Sequence, residues 1–436
     1  MTETVTRSRV LAIAFPIVIS NATIPILGAV DTAVVGQMGL AAPIGAVGIG
    51  AVILASVYWI FGFLRMGTTG LVAQALGAGD VAETGALLMR GMMVAGVAGL
   101  ALIAGQAAFF AGAFALAPAS PEVEELARDY LAIRVWGGPA AIAIYALTGW
   151  LIAMERTRAV LALQLWMNAV NVVLDLWFVL GLGWGVEGVA VATLIAEWTA
   201  LGLGLWLCRA AFSGDQWRDW ARVFDPVKLR RMGEVNGNIL IRSILLQATF
   251  VSFIFLGARH GDVTLAANQI LVQFLSVSAF ALDGFAFAAE ALVGQAKGGR
   301  DRKRLRLAAL RASELAAVLA VALAAAFWIA GPVVIDVMAT SEAVRAEARE
   351  YLPWMIASPV LGVAAWMLDG IFIGATRTRQ MRDAMLIATG IYFAALALLV
   401  PVWGNHGLWA ALMVLNVARA VTLGLRYPKL EAAVEA

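Results

Sequence analysis

Several ionisable residues lie inside segments of this sequence that are otherwise apolar, and their presence there needs an explanation. They are Asp31, Asp175, Glu197, Arg242, Asp283, Glu290 and Asp369. A charged side chain near the centre of a bilayer costs at least about 2.5–3.5 kcal/mol on insertion scales, so each residue needs a partner or a function. Carboxylates at that depth can carry a proton or a small hard cation, because such cations prefer oxygen ligands.

A first group of polar residues falls at one depth in the first half of the chain. Counting about 1.5 Å per residue places Asp31 about 30 Å along the first apolar segment and Asp175 about 24 Å along the fifth. Asn171 shares a helix face with Asp175, and Thr193 lies near the outer end of the sixth segment. Their oxygen atoms could hold Na⁺, or the two carboxylates could share a proton because both do not ionise readily in a low dielectric. The plainer alternative is that these groups only hydrogen-bond neighbouring helices.

A second group lies in the other half of the chain. Asp283 and Glu290 are two turns apart on one face of the eighth apolar segment, and Asp369 and Arg242 lie at a similar depth. We expect Arg242 to belong to a buried, neutralised arginine–carboxylate network that stabilises this half. The alternative is a relay that passes protons or contacts substrate.

The composition indicates the solvent in which these residues lie. Of the 436 residues, 62% are hydrophobic and 14% are charged, and the mean hydropathy is +0.86. A water-soluble protein needs far more polar residues to cover its surface, so lipid must surround much of this chain. A spanning helix takes about 20 apolar residues, and about twelve such segments fit. Long segments without period-two alternation predict an all-α membrane protein and not a barrel.

The sequence also argues against several classes of function. It contains no phosphate-binding loop, HExxH pair or nucleophile elbow, so we expect neither an enzyme nor an ATP-driven pump. We therefore expect no cofactor. Transport, if it is active, would draw on an ion gradient, with H⁺ or Na⁺ as the coupling ion. The net charge of +2, without a basic stretch interleaved with aromatic residues, argues against nucleic acid as a partner. The GxGD pattern at 77–80 falls in a loop, which favours a turn over an intramembrane protease site.

Lys and Arg are concentrated in alternate loops between the apolar segments. Basic clusters occur within 156–158, 209–231, 297–306 and 377–382, and the loop after the third segment is acidic. Because an excess of Lys and Arg marks the cytoplasmic side, we predict that both termini face the cytoplasm. The predicted location is the bacterial inner membrane, which the chain crosses many times.

The chain carries an internal duplication. At a shift of 221 residues, Leu71–Asp80 (LVAQALGAGD) lies over Leu292–Asp301 (LVGQAKGGRD), and the RTR at 156–158 lies over the RTR at 377–379. Matches spread over both halves predict a six-helix unit repeated in one orientation, which is typical of transporters that alternate access around a cavity.

The repeat defines the expected domains. They are an N-terminal six-helix lobe (1–212), a cytoplasmic interlobe linker (213–235) that forms an interfacial helix, and a C-terminal six-helix lobe (236–436). Three carboxylates are not duplicated, since the aligned residues are Asp31 with Ser252, Asp283 with Gly62, and Asp369 with Thr148. An acidic group present in one lobe is not demanded by the shared scaffold, which favours a functional role.

Four segments resemble the multidrug and toxic compound extrusion (MATE) family, specifically its DNA-damage-inducible (DinF-type) branch. They are Val30–Gly39 (VDTAVVGQMG), Asn171–Thr193, Ile241–Gln247 (IRSILLQ) and Ala281–Gly298 (ALDGFAFAAEALVGQAKG). The resemblance covers essentially the whole chain. It implies a V-shaped pair of six-helix lobes that exports cationic or amphipathic organic compounds in exchange for H⁺ or Na⁺. We expect a monomer whose partners are the small organic substrate, the coupling cation and membrane lipid.

The resemblance also implies a site. Carried over residue by residue, the cation or proton site of this branch falls on Asp31, Asn171, Asp175 and Thr193. The Glu–Tyr–Asp pattern that another branch uses in the C-terminal lobe is not clearly matched, because Ala365 stands four residues before Asp369. We therefore predict a secondary antiporter with its coupling site in the N-terminal lobe. The alternative is a flippase of the same superfamily for lipid-linked precursors, although such proteins tend to have basic cavities and the in-span charges here are mostly acidic.

Overall fold

The structure is a computed structural model that describes residues 4–37, 40–116, 120–213 and 216–434. In these ranges the chain is almost entirely helical and contains no β-strand. Twelve of its helices are long and apolar enough to cross a membrane, which confirms the predicted all-α membrane fold. They are α1 (Arg7–Gly36), α2 (Ala41–Gly77), α3 (Val81–Ala104), α4 (Pro121–Ala153), α5 (Thr157–Gly181), α6 (Gly185–Leu207), α7 (Pro226–Ala258), α8 (Asp262–Gly298), α9 (Arg302–Met338), α10 (Glu342–Gly374), α11 (Thr378–Trp403) and α12 (Asn405–Ala432).

Several of these helices are irregular. The helical hydrogen bonding of α2 is interrupted at Phe61, α4 passes through a 3₁₀ turn at Val135–Gly137, and α5 widens into a π-helical turn at Leu176–Gly181. A separate short helix, Gln106–Leu116, follows α3. Departures of this kind often occur at functional sites, and those in α4 and α5 lie beside the site described below.

The turns that begin α3 and α9 are built alike. Asp80 accepts a hydrogen bond from the backbone amide of Glu83 at 3.1 Å, and Asp301 accepts one from the amide of Arg304 at 2.8 Å. Such caps satisfy amide groups that have no partner within the helix. Gly79, at φ +76°, supplies the left-handed conformation that the first turn needs. The GxGD segment is therefore a turn and a helix cap.

The linker predicted as one interfacial helix over 213–235 is different in the structure. Its described part before α7 contains two short pieces, the 3₁₀ turn Gln216–Arg218 and the one-turn helix Trp220–Val223. Asp225 then caps α7 by accepting hydrogen bonds from the two backbone amides that follow Pro226, at 2.9 and 3.2 Å. The single-helix prediction was wrong because an acidic cap followed by proline starts a new helix, and that helix is already α7.

The helices pack into two compact units, which are described separately. The first unit comprises Ile19–Thr68 and Asp80–Leu229, and the second comprises Met1–Val18, Thr69–Gly79 and Arg230–Ala436. The second unit thus includes two segments from the first half of the chain, whereas the predicted lobes follow the halves. One reason is Gly284 of α8, where a Cβ would lie 2.8 Å from the carbonyl oxygen of Ala14. Glycine allows α8 to pack directly on the backbone of α1.

The second reason is a reciprocal contact between duplicated segments. A Cβ at Gly77 would lie 2.0 Å from the carbonyl oxygen of Gln295, and a Cβ at Gly298 would lie 2.0 Å from that of Gln74. The repeat shift of 221 residues relates Gly77 to Gly298 and Gln74 to Gln295. The ends of α2 and α8 therefore meet across a local pseudo-twofold axis, and each glycine makes room for the backbone of the other helix.

The second unit has an aromatic core. The rings of Phe253 and Trp409 pack edge to face with centroids 4.5 Å apart, and those of Phe274 and Phe327 lie 5.1 Å apart. The indole nitrogen of Trp409 donates to Oδ1 of Asn268 at 2.9 Å, so its polar atom is paired. These contacts hold α7, α8, α9 and α12 together.

Candidate cation site

Asp31, Asn171, Asp175 and Thr193 all lie in the first unit, on α1, α5 and α6. Their relative exposures are 0% for Asn171 and Asp175, 5% for Thr193 and 7% for Asp31. The polar residues of α5 face inward, while its outward face is apolar, as at Val173 with 62% exposure. This arrangement suits a helix in lipid, where a polar group is stabilised inside the bundle.

Hydrogen bonds order the group. Nδ2 of Asn171 donates to Oγ1 of Thr193 at 3.0 Å, and the Thr193 hydroxyl donates to the carbonyl oxygen of Val189 at 3.0 Å. The carboxyl groups of Asp31 and Asp175 lie close enough to interact with each other and with the Asn171 side chain. The structure thus brings the four residues into one cluster.

Oxygen atoms of this cluster lack donors. In the part of the chain that the structure describes, Oδ1 of Asp31, Oδ1 of Asn171 and both carboxylate oxygens of Asp175 are buried without a hydrogen-bond partner. Carboxylates only accept, so two of them hydrogen-bond each other only through a proton. An unpaired buried acceptor costs roughly 1–3 kcal/mol, so these oxygens favour the arrival of a proton or a small hard cation.

The same helix contacts α1 near a proline. Nδ2 of Asn168 donates to the carbonyl oxygen of Thr23 at 3.3 Å, and Nε2 of Gln164 donates to Oδ1 of Asn168 at 3.0 Å. Thr23 is followed two residues later by Pro25, which has no amide proton and weakens the helical hydrogen bonding of α1. α5 therefore holds α1 close to the place where α1 bends most easily.

A buried ion pair lies beside the cluster, and the sequence analysis missed its basic partner. Arg134 of α4 donates to Glu197 of α6 through two parallel hydrogen bonds, from Nη1 to Oε2 at 2.8 Å and from Nη2 to Oε1 at 2.9 Å. Arg134 also interacts electrostatically with Asp31 and with Asp175. The signal was present, because Arg134 is the one charged residue in the otherwise apolar run of sequence over 131–153.

The irregular backbone of α4 makes room for this pair. The α-helix stops after Arg134, a 3₁₀ turn follows over Val135–Gly137, and the helix resumes at Gly138. A Cβ at Gly137 would lie 2.0 Å from Oε2 of Glu197. A glycine at this turn is thus what allows the Glu197 carboxylate to reach the guanidinium group.

The matching place in the second half carries uncharged groups. The aligned residues are Asp31 with Ser252, Asn171 with Tyr392, and Asp175 with Leu396. The hydroxyl of Ser252 lies 3.1 Å from the phenol oxygen of Tyr392, so the contact between the two helices is repeated. The repeat therefore builds the same neighbourhood twice and places carboxylates in the first copy.

The second unit contains an arginine–carboxylate network. Oδ2 of Asp369 on α10 accepts hydrogen bonds from Arg242 on α7 and from Arg419 on α12, and all three side chains are buried. Arg419, which the sequence analysis did not single out, also donates to Oδ1 of Asn416 at 3.3 Å and interacts electrostatically with Asp283. Charge-assisted hydrogen bonds of this kind join three helices through one carboxylate.

Glu290 lies on the same helix as Asp283 and is 1% exposed. The carbonyl oxygen of Glu290 would lie 2.3 Å from a Cβ at Gly374, and that of Ala286 would lie 2.6 Å from a Cβ at Gly370. α8 and α10 therefore pack backbone to backbone at this level. Glu290, which the sequence analysis offered as a possible relay residue, thus lies where α8 and α10 pack closely.

Comparison with known proteins identifies the scaffold that carries these groups. The MatE family profile matches the chain twice, over residues 16–177 and over residues 239–399. The chain belongs to the MatE family. One match falls in each half, as the internal duplication predicts, and Asp31, Asn171 and Asp175 lie in the first match.

Relatives of this MatE protein cover nearly its whole length. DNA damage-inducible protein F of Escherichia coli is 37% identical over 417 residues, which are 94% of this chain and 90% of that protein. A probable multidrug resistance protein NorM of Xanthomonas campestris is 26% identical, over 95% of this chain and 92% of that protein. The crystal structure of a Vibrio cholerae MATE transporter matches 98% of this chain and 97% of its own, with a TM-score of 0.87 and 17% sequence identity. The two proteins therefore share one fold. The chain is a transporter of the DinF-type branch.

Proposed function

We propose that this MatE transporter is a secondary antiporter that exports cationic or amphipathic organic compounds in exchange for H⁺ or Na⁺. The observation that carries the proposal is the buried pairing of Asp31 with Asp175, whose oxygen atoms lack donors within the described ranges. Such a site gains stability when one positive charge arrives, which is what a coupling site requires.

The cluster suits either cation. A proton shared by Asp31 and Asp175 removes the repulsion between two carboxylates in a low dielectric. Na⁺ would be held by oxygens of the same two carboxylates and by Oδ1 of Asn171. Nδ2 of Asn171 donates to Thr193, and Oδ1 of Asn171 has no donor in the described part of the chain, which supports its use as a third oxygen ligand.

Transport follows if the two states of the protein differ in their affinity for the cation. Substrate binds an apolar, partly acidic surface while the site is empty and access is from the cytoplasm. After the lobes rock outward, loading of Asp31 and Asp175 neutralises the site and expels the substrate. α1 is suited to carry this change, since Asp31 follows Pro25 by six residues and Asn168 holds Thr23.

The same proposal includes the setting of the protein. We place it as a monomer in the bacterial inner membrane, with both termini in the cytoplasm. Its expected partners are the organic substrate, the coupling cation and lipid. The alternating basic and acidic loops support this orientation.

Efflux from proteoliposomes tests the proposal. A cationic dye is loaded, and its transport is followed under an imposed pH gradient alone and under a sodium gradient alone. We expect one gradient to drive efflux and Asp31→Asn to abolish it, because this change removes the charge and keeps the shape. Ser252→Ala, at the repeat-related position, is the matched control and is expected to retain coupled efflux.

Two outcomes contradict the proposal. Efflux that responds to neither gradient would exclude antiport of these cations. Coupled efflux that survives in Asp31→Asn would exclude this residue as the coupling group.

A further inference from the structure

The Arg134–Glu197 ion pair takes no part in the transport cycle outlined above. Its side chains are 8% and 9% exposed, and Nε of Arg134 is buried without an acceptor among the residues described. Removing one partner of a buried pair leaves the other charge uncompensated in a low dielectric. The pair is therefore a strong local charge source whose effect depends on the presence of both partners.

The two charges reach the coupling cluster with opposite effects. Glu197 lies one turn from Thr193 on the same buried face of α6, and Thr193 bonds Asn171, so the pair adjoins the cluster. Arg134 also interacts electrostatically with Asp31 and Asp175, and Glu197 with Asp31. A guanidinium ion stabilises nearby ionised carboxylates and so competes with an incoming cation, whereas a further carboxylate attracts that cation. In the interior of a helical bundle, where the effective dielectric constant is far below that of water, one uncompensated charge near a site shifts its cation-binding equilibrium by about tenfold or more.

The surrounding side chains hold the pair in place. The side chain of Tyr130 interacts with Arg134, and the hydroxyl of Tyr58 donates to the carbonyl oxygen of Arg134 at 3.5 Å. Gly137 leaves space for the Glu197 carboxylate, as described above. Gly50 does the same for the tyrosine ring, since a Cβ there would lie 2.5 Å from Cδ1 of Tyr130.

We infer that Arg134 and Glu197 are positioning residues that set the affinity of the Asp31–Asp175 site for its coupling cation. Their charges balance, so the site holds the cation tightly enough to load and weakly enough to release. The inference rests on the proposed antiport function. The titratable groups that face the pair are Asp31 on α1, Tyr58 on α2, Tyr130 and Tyr145 on α4, and Asp175 on α5.

The test measures the external concentration of H⁺ or Na⁺ that gives half-maximal efflux. Glu197→Gln leaves Arg134 uncompensated and is expected to raise this concentration by about tenfold or more. Arg134→Gln leaves Glu197 uncompensated and is expected to lower it by a similar factor. The double variant removes both charges and is expected to return within about threefold of the wild type.

Control variants separate charge from structure. Arg134→Lys keeps the charge and is expected to shift the half-maximal concentration less than Arg134→Gln does. Glu124→Gln breaks the exposed pair with Arg128 on the same helix, at 2.6 Å, and is expected to change nothing. If a single variant fails to fold, Gly137→Ala replaces it. Its Cβ displaces the Glu197 carboxylate while both charges remain, and the expected shift has the direction of Glu197→Gln.

The outcomes distinguish this inference from the proposed function. Opposite shifts in the two single variants, with restoration in the double variant, support the inference. Shifts in one direction, no shift, or an unchanged Gly137→Ala overturn it. If Asp31→Asn abolishes coupled efflux while the pair variants leave the half-maximal concentration unchanged, only the inference fails. If Asp31→Asn retains coupled efflux, the proposed function fails.

Discussion

Buried aspartates in this protein differ in how many hydrogen-bond donors their carboxylate oxygens receive. Asp369 receives hydrogen bonds from Arg242 and Arg419, so its charge is more than compensated. Asp31 and Asp175 face each other, and carboxylate oxygens of both lack a donor within the described part of the chain. The first arrangement stabilises helix packing, and the second is the basis of the proposed cation site.

This difference predicts opposite effects of the same substitution. Asp369→Asn removes the carboxylate charge that both buried guanidinium groups contact, and we expect it to destabilise the protein by about 3–5 kcal/mol. Asp31→Asn removes a charge that repels its neighbour, so we expect the unfolding temperature to stay at or above that of the wild type. The unfolding temperatures of both variants are measured in detergent, with size-exclusion chromatography as the readout of folded protein. Equal losses in the two variants would contradict the division of roles.

At the scale of elements, close backbone contacts position the helices. Gln74 near the end of α2 donates through Nε2 to the carbonyl oxygen of Gly374 and to Oγ1 of Thr376, both at 2.9 Å. Its Oε1 accepts from Nη2 of Arg231 on α7 at 2.8 Å. One side chain thus joins α2, α7 and the end of α10, next to the reciprocal glycine contact with α8.

The reciprocal contact predicts that replacing either of its glycines destabilises the protein. Gly298→Ala puts a methyl group 2.0 Å from the carbonyl oxygen of Gln74, so the helices must separate. We expect a loss of roughly 1–3 kcal/mol, measured as a lower unfolding temperature in detergent. Gly96→Ala on α3 is the matched control, because apart from its own helix no described atom lies within 4 Å of its added Cβ. A fall of the same size in Gly96→Ala would show that the loss is not due to the contact.

At the scale of the whole molecule, one duplicated unit serves two purposes. The MatE profile matches both halves, yet the carboxylate cluster occurs in the first half and the Asp369 network in the second. A shared scaffold fixes where helices run, and the side chains placed on it decide what each half does.

The distribution of Lys and Arg predicts the orientation of this molecule. A fluorescent protein fused to the C-terminus is expected to fluoresce, because the positive-inside rule predicts that this terminus lies in the cytoplasm. Alkaline phosphatase fused after Gly261, between α7 and α8, is expected to be active, and the same enzyme fused after Arg300, between α8 and α9, to be inactive. The reverse activities would overturn the predicted orientation.

The fold class and much of the candidate cluster could be predicted without coordinates. Apolar length and helical spacing are local properties, so they predict twelve helices and place Asn171 and Asp175 on one face. The pairing of Arg134 with Glu197 could not be predicted in this way. It depends on a 3₁₀ turn in α4 and on the space at Gly137, which no local pattern specifies.

The amino-acid sequence by itself determined that this chain lies in lipid, repeats a six-helix unit and carries unduplicated acidic residues, because composition, period and alignment can be read along one dimension. Only the tertiary structure decided which charges meet. It showed that Asp369 is satisfied by two arginines and that, among the residues it describes, Asp31 and Asp175 retain oxygens without donors. Partners of a buried charge come from distant parts of the chain, and their free energy depends on distances that only packing sets.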